Sequence, residues 1–262
     1  MPLVSSPEPM DRRLARLQKA MGLTADGILG PETLTALEAR ILSRRQIASV
    51  PSSLEVSRSG LDLLVAFEVS SPAYYEKKLR RPCWPGGESG VTIGIGYDVG
   101  VTSAKQIEQD WRGQLTDEAV DRLLSVQGIA GTRARQLARD LSDVQVTFDV
   151  AQTVFYRCTV PQFARRTLEV YPRVDKLPPD AQAMVLSLIY NRGTRLTGSR
   201  RQHMAALKAL IARGDLDAIA GQFELMTELW PDLPGLCTRR RKEAAMIRGA
   251  DRRYSEDEIV RV

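Results

Sequence analysis

Apolar residues recur at helical spacing along most of this chain, and one short segment replaces that spacing with a strand-like alternation. Four residues after Ser59, the predicted N-cap, fall at positions i, i+3, i+4 and i+7 of one helical face: Leu61, Leu64, Val65 and Glu68. Residues 91–96 instead alternate apolar positions with threonine and glycine, a period of two that predicts β structure. The pattern therefore predicts a mostly helical α+β protein with a small β element.

The strand-like segment predicts a hairpin. In a straight strand, Thr92 and Asp98 would be about 20 Å apart, at roughly 3.3 Å per residue. A turn at residues 94–96, where two glycines stand, would make them cross-strand neighbours roughly 5 Å apart. We therefore predict that Thr92 and Asp98 share one glycine-lined face that a sugar could approach.

A second helix is predicted to be central. Pro178, Pro179 and Asp180 open a segment that is apolar nearly all round, which is typical of a helix buried on every side. Gly193 is well placed as its C′ residue. Asn191 and Arg192 would then lie at the helix end, where a cleft could open. For Asn191 the pattern leaves two interpretations open, contact with a substrate and capping of the helix.

The N-terminal part of the chain is predicted to be a separate small all-α module. Two apolar helical faces flank an Asp26-Gly27 turn, and Gly30-Pro31 opens the second helix. A polar, serine-rich stretch follows. These features predict a module at residues 8–45, a linker at 46–57, a main domain at 58–249 and a loose charged tail at 250–262.

Composition restricts the chemistry. The chain of 262 residues holds one histidine, His203, and three cysteines without metal-binding spacing. Histidine-rich zinc hydrolases and Ser/His or Cys/His mechanisms are therefore disfavoured, and we expect no metal and no cofactor. Catalysis would depend on carboxylates, hydroxyls and backbone groups. Glu68 has two interpretations. On the apolar face it suits a general acid, because a carboxyl held against apolar surface resists ionisation; at a frayed helix end it would point to water.

The net charge of +5 predicts attraction to polyanions. Nucleic acid is one candidate and an acidic cell wall is another, but the sequence holds no nucleic-acid-binding motif, so we expect no nucleic-acid partner. The basic run 239–242 is interpreted as a solvated helix face. Without a long apolar run or a secretory h-region, we expect cytoplasmic synthesis, no stable membrane insertion, and action on the cell wall in the periplasm after release or delivery.

The N-terminal module resembles the small peptidoglycan-binding module found beside many wall-degrading enzymes. The residues that carry this resemblance are Leu17-Gln18, Met21-Gly22, Asp26-Gly27-Ile28-Leu29-Gly30-Pro31 and Thr33. A generic helix–turn–helix cap is the alternative. The resemblance implies bacterial peptidoglycan as a partner.

The main domain resembles the phage-lysozyme family of muramidases over about residues 58–247. Four motifs occur in the family's order: Ala66-Phe67-Glu68, Thr92-Ile93-Gly94-Ile95-Gly96, Tyr190-Asn191-Arg192-Gly193, and Gly235-Leu236 followed by Arg239-Arg240 and Glu243. The resemblance implies a lysozyme-like fold and hydrolysis of the β-1,4 bond between N-acetylmuramic acid and N-acetylglucosamine. It implies that Glu68 is the general acid, that Thr92 helps to position water, and that the course is inverting.

Two residues compete for the role of second carboxylate. The family's aspartate precedes its threonine, and the enlarged loop at that place offers Glu88. Pesticin-type muramidase toxins instead carry an aspartate six residues after the threonine, a spacing that matches Asp98. We favour Asp98 and keep Glu88 as the alternative. Tyr97 replaces the family's histidine, and with Trp84, Asn191 and Arg192 it completes the candidate substrate contacts.

The biological role expected from these resemblances is that of a monomeric, bacteriolytic and antimicrobial phage endolysin. The alternative is a bacterial effector or toxin muramidase that is delivered into rival bacterial cells. A different class of hypothesis is a non-catalytic protein that only binds the cell wall. A further hypothesis is an enzyme that degrades chitin or chitosan by the same use of two carboxylates.

Overall fold

A computed structural model describes residues 9–37 and 54–262 of the chain, which divides into two compact units, Met1–Ala48 and Ser49–Val262. The remaining residues of the predicted module and linker lie outside the described ranges. The first unit contains helix α1 (Met10–Ala20) and the described part of helix α2 (residues 31–37). Its described residues are therefore helices and turns, as the sequence predicted.

Gln18 holds the first unit together. Its side chain is 1% exposed. Its Nε2 lies 2.7 Å from Asp26 Oδ1, 2.9 Å from the Ile28 carbonyl and 2.9 Å from Thr33 Oγ1, while its Oε1 accepts from Gly27 N at 2.8 Å. Because one amide side chain forms hydrogen bonds with both the turn and the start of α2, the position of the Asp26-Gly27 turn depends on Gln18.

The second unit is mostly helical. Its helices are α3 (Arg58–Val69), α4 (Pro72–Lys78), α5 (Ala104–Trp111), α6 (Asp117–Leu124), α7 (Thr132–Asp140), α8 (Phe148–Val154), α9 (Val160–Val170), α10 (Pro179–Arg192), α11 (Gln202–Arg213), α12 (Leu216–Leu225) and α13 (Pro234–Arg248). A π-helical turn (Phe155–Thr159) joins α8 to α9. Four 3₁₀ turns cover Val174–Lys176, Ser199–Arg201, Met226–Leu229 and Glu256–Glu258. No helix among the described residues is long and apolar enough to cross a membrane.

Two short antiparallel ladders complete the described part of the second unit. Strand β1 (Glu55–Ser57) pairs with β4 (Ile259–Arg261), and β2 (Thr92–Ile93) pairs with β3 (Tyr97–Asp98). The first ladder corrects two boundaries predicted from the sequence. The end of the predicted linker is a strand, and the predicted loose tail, residues 250–262, closes onto it. The pairing carries backbone hydrogen bonds that a free tail would lack.

Helix α10 lies at the centre of the second unit, as its apolar composition predicted. Every residue from Asp180 to Ile189 is buried. The helix packs against α3, α9, α13 and β1, and Gly193 ends it at φ 71° with its N–H bonded to the Ile189 carbonyl at 2.8 Å. Each large apolar side chain buried in this way contributes about 1.5–3 kcal/mol. The elements that position the site therefore pack around α10.

The start of α3 differs from the prediction by two residues. Ser57, not Ser59, is the N-cap, and its hydroxyl accepts a hydrogen bond from Gly60 N at 3.0 Å. Ser57 is also the last residue of β1, so strand and helix join without a loop. A cap of this kind stabilises the helix by about 1 kcal/mol. The apolar face of α3 is buried as predicted, and Glu68 lies in its last turn.

Candidate active site

Glu68 is held by an arginine from the other end of the unit. Its Oε1 accepts a hydrogen bond from Arg239 Nη1 at 2.7 Å. The glutamate side chain is 23% exposed, whereas the arginine side chain is only 6% exposed. Ser70, two residues further along, adopts φ 63° and turns the chain away from the helix. The result is a fixed carboxylate at a helix end that still reaches solvent. This corrects the expectation of a carboxyl held against apolar surface, because the partner of Glu68 is a cation.

Arg239 is fixed on all sides. Its Nε lies 3.2 Å from Glu243 Oε1, and its Nη2 donates to Ser187 Oγ at 3.0 Å. The guanidinium carbon lies 4.9 Å from the centre of the Phe67 ring. All three guanidinium nitrogens therefore have partners, and the direction from which Arg239 approaches Glu68 is set by α10 and α13 together.

Glu243 is the buried counter-ion behind this pair. It is fully buried on α13, and its Oε1 accepts from Ser187 Oγ at 2.6 Å and from Arg240 Nη2 at 2.8 Å. Burial disfavours the charged guanidinium and lowers the pKa of Arg240 to about 10, against the opposing charge of Glu243. With Glu68 and Arg239 this makes a network of two cations and two carboxyl groups.

This network corrects one interpretation of the sequence. The basic run 239–242 was expected to be a solvated helix face, but Arg239 and Arg240 are buried, whereas Arg241 and Lys242 are exposed. The spacing of Arg239, Arg240 and Glu243 is the signal that could have indicated this. Residues three and four apart share a helix face, where opposite charges pair.

The predicted hairpin is confirmed. Thr92 pairs with Asp98 across the ladder, and Gly94 and Gly96 form the turn with φ 58° and 68°. A Cβ atom on Gly96 would come within 2.3 Å of Tyr190 Oη. Only glycine fits there, because the phenol of Tyr190 lies directly against the hairpin tip.

Tyr190 connects the hairpin tip with the surroundings of Glu68. Its Oη donates to the carbonyl of Ile95 at 3.1 Å. Burial raises the pKa of Tyr190, and the negative charge of Glu68 raises it further. Tyr190 therefore lies within electrostatic reach of Glu68 while it bonds the hairpin. Tyr190 belongs to one of the four motifs named above, but the sequence did not predict this contact.

Asp98 is fixed by backbone N–H groups. Gly90 N lies 3.2 Å from its Oδ1 and 3.1 Å from its Oδ2, and Gly100 N donates to Oδ1 at 2.9 Å. Its neighbour Thr92 is buried, with Oγ1 3.5 Å from the Gly90 carbonyl. Asp98 also lines a 370 Å³ cleft between the hairpin and α9, together with Gln162 and other polar residues. The carboxylate thus has a fixed position at a cleft wall.

Tyr97 packs into the core. Its Oη donates to Asp110 Oδ2 at 2.8 Å, and its ring meets Trp111 edge-on at 5.3 Å. Burial raises the pKa of Tyr97, and the charge of Asp110 adds to this effect. Tyr97 was predicted to contact substrate, but its hydroxyl is bonded to a buried partner, so the side chain attaches the hairpin to the core.

The loop before the hairpin holds Trp84 and Glu88. Trp84 Nε1 donates to the Ser89 carbonyl at 3.0 Å, and its half-buried ring lines a 510 Å³ groove with Arg81, Arg135 and other residues. Glu88 is exposed. Trp84 therefore anchors the loop and also faces an open groove, whereas the Glu88 side chain points to solvent.

The candidates at the end of α10 have different environments. Asn191 is exposed, whereas Arg192 is half-buried, with its guanidinium carbon 4.6 Å from the centre of the Trp230 ring. The Nη2 of Arg192 donates to the Arg200 carbonyl at 2.6 Å. The structure therefore groups Thr92 with Asp98, Glu68 with Arg239 and Tyr190, and Arg192 with Trp230.

Comparison with known protein families gives two matches. Residues 66–242, more than half of the chain, match the family described as "Domain of unknown function (DUF8812)". Residues 8–37 match the family described as "Putative peptidoglycan binding domain". No curated protein matches the chain. The second match supports the peptidoglycan-binding module predicted from the sequence and connects the chain with the bacterial cell wall.

Proposed function

The chain belongs to the family described as "Domain of unknown function (DUF8812)" and carries a peptidoglycan-binding module, and from this premise we propose that its second unit is a muramidase. The observation that carries the proposal is the Glu68 carboxylate. It is 23% exposed and held at 2.7 Å by Arg239, within electrostatic reach of a tyrosine bonded to the hairpin tip. A fixed, accessible carboxyl at a helix end meets the positional requirement of a general acid, which must come within hydrogen-bond reach of the oxygen that it protonates.

In the proposed reaction, Glu68 protonates the oxygen of the β-1,4 bond between N-acetylmuramic acid and N-acetylglucosamine. Asp98 orients or activates the attacking water, and Thr92 helps to position it. Proton transfer leaves Glu68 as a carboxylate, which Arg239 stabilises through the existing contact. A water-mediated, inverting course needs the two carboxyl groups roughly 6.5–9.5 Å apart, so that water fits between them.

The division of labour between the units follows from their chemistry. The first unit brings the chain to peptidoglycan, and the second cleaves the glycan. We infer a lytic role as a phage endolysin that reaches the wall after release through a membrane lesion. A toxin muramidase delivered into rival cells would use the same chemistry and differ in its route to the wall.

Digestion of purified peptidoglycan tests the proposal. Mass spectrometry of the products should show new reducing ends on N-acetylmuramic acid. New reducing ends on N-acetylglucosamine would contradict a muramidase, and hydrolysis of chitin oligosaccharides alone would point to a chitinase. Binding without any cleavage would favour a non-catalytic wall-binding protein. The matched control is Glu68→Gln, which should bind peptidoglycan through the first unit and release no fragments.

A further inference from the structure

Two arginines flank one tryptophan at the end of α10. The guanidinium carbon of Arg192, the last residue of the helix, lies 4.6 Å from the centre of the Trp230 ring, and that of Arg200 lies 5.9 Å from the same centre. Arg201 follows Arg200 in the 3₁₀ turn before α11. We call these four residues the Arg–Trp cluster. Its ring is half-buried, so part of it faces solvent.

The cations of the Arg–Trp cluster have polar contacts but no counter-ion. Arg192 donates to the Arg200 carbonyl, and Arg200 donates to the Leu229 carbonyl. Carbonyls fix the side chains but carry no net charge. Within residues 9–37 and 54–262, no carboxylate forms an ion pair with Arg192, Arg200 or Arg201. The Nη1 atom of Arg192 is buried and lacks a hydrogen-bond partner in the described part of the chain.

The electrostatics of the Arg–Trp cluster are unfavourable without a ligand. Burial lowers the pKa of Arg192 to about 10, and the positive charges of Arg201, Arg240 and Arg200 contribute to the same shift. An anion beside the exposed Arg200 would offset the repulsion among the guanidinium groups. Charge-assisted bonds from arginine to a carboxylate are among the strongest hydrogen bonds in proteins.

Peptidoglycan offers one anion of suitable chemistry beside an uncharged glycan backbone, namely the free carboxylates of its peptide stems. We propose that the Arg–Trp cluster binds a carboxylate of a peptide stem, with the guanidinium groups of Arg192 and the exposed Arg200 as its partners and Trp230 as an apolar wall for the stem. This inference rests on the proposed function for its choice of polymer.

Indole NMR resonances provide a local test. The chain holds three tryptophans, Trp84, Trp111 and Trp230, all outside the first unit, so binding by that unit does not obscure the signal. The ¹⁵N-labelled full chain is titrated with a disaccharide–tetrapeptide in which N-acetylglucosamine precedes N-acetylmuramic acid. This ligand lacks the bond that a muramidase cleaves, so the result does not depend on catalysis. A Trp230→Phe variant assigns the resonance.

We expect the Trp230 resonance to shift with the stem-bearing ligand and not with the stem-free disaccharide. Arg192→Met and Arg200→Met should each weaken binding about tenfold or more, because each removes a charged partner. Arg213→Met, which removes one exposed charge at the other end of α11, should leave the affinity unchanged. Thermal melting of each variant checks folding.

A ligand-side change tests the proposal even if an arginine variant does not fold. Amidation of the stem carboxylates should abolish the Trp230 shift in the unaltered chain. An equal shift with the amidated or stem-free ligand would overturn the proposal. A shift with inorganic phosphate alone would assign the site to phosphate-bearing wall polymers instead. No shift with any of these ligands, or equal weakening by Arg213→Met, would also overturn it. If the chain does not cleave peptidoglycan, the proposed function fails, but this titration remains interpretable because its ligand holds no bond that a muramidase cleaves.

Discussion

Arg239 donates a hydrogen bond to Glu68 across 2.7 Å, although the two residues are 171 positions apart in the chain. The contact forms because α3 and α13 both pack on α10, and Ser187 of α10 holds the far side of the guanidinium. The proposed proton donor is thus oriented by the core of the fold. A loop would hold the same carboxyl less firmly.

Glu68→Gln should reduce turbidity clearing of peptidoglycan by at least roughly 100-fold, the scale of a lost general acid. The variant also weakens the contact with Arg239, which keeps Glu243 and Ser187 as partners. We therefore expect a loss of about 1–3 kcal/mol in the free energy of unfolding, measured by denaturant titration. Asp62→Asn is the matched control, since it removes an exposed carboxyl from the same helix. Near-normal clearing by Glu68→Gln would rule out the proposed mechanism.

Asp98→Asn should also lose roughly 100-fold or more in rate, while Glu88→Gln should lose far less. Asp98 is fixed by Gly90 and Gly100, whereas Glu88 is exposed on a loop. Both variants are assayed on the same peptidoglycan. Thermal melting separates a loss of rate from a loss of stability caused by weaker hydrogen bonds from the Gly90 and Gly100 N–H groups. A reversed ranking would move the second-carboxylate role to Glu88.

The features predicted well from the sequence are those with a local cause. Two glycines with positive φ define the hairpin turn, and they place Thr92 opposite Asp98 without any distant contact. The burial of α10 follows from its own apolar composition. In both cases the signal lies within about fifteen residues, over which periodicity and turn chemistry are informative.

The features that the sequence did not predict depend on distant partners. The ladder that pairs Glu55 with Arg261 uses three residues from each strand, too few for a clear alternation. The burial of Arg239 and Arg240 depends on Glu68 and Glu243, and a basic run alone is typical of a solvated face. Tyr97 was predicted to contact substrate, but its hydroxyl donates a hydrogen bond to Asp110.

Gln18→Ala should unfold the peptidoglycan-binding module and weaken sedimentation of the chain with cell-wall sacculi. The substitution leaves the Gly27 N–H and the Thr33 hydroxyl without their buried partner, at a cost of about 1–3 kcal/mol for each unsatisfied group. A unit this small tolerates little loss. Cleavage of short soluble glycan fragments should change little.

Lys19→Ala is the control for Gln18→Ala, because the neighbouring lysine is exposed. It should sediment with sacculi like the unaltered chain. If Gln18→Ala also sediments normally while circular dichroism shows a loss of helix, binding to the wall would have to come from the second unit.

The turn that precedes β4 should make stability depend on pH in the acid range. Glu258 accepts from Ser255 N at 2.9 Å and from Arg252 Nη1 at 2.8 Å. The Ser255 N–H and Arg252 lower the pKa of Glu258 from 4.5 to about 2. A carboxyl whose pKa is lower in the folded state stabilises the fold above its unfolded pKa. That contribution is lost as the pH falls from 4.5 towards 2. Glu258→Gln should therefore be less stable than the unaltered chain at pH 7, and the difference should shrink across this window.

Paired denaturant titrations between pH 7 and pH 2 measure that difference directly, because the other carboxyls titrate in both proteins. Glu256→Gln, an exposed neighbour in the same turn, should show no such trend. Since the turn leads into the strand that pairs with β1, loss of the Glu258 contacts should first release β4. Hydrogen exchange should therefore speed up at Ile259–Arg261 before it does in α10. A difference that stays constant down to pH 2 would show that the Glu258 side chain does not hold the C-terminus in solution.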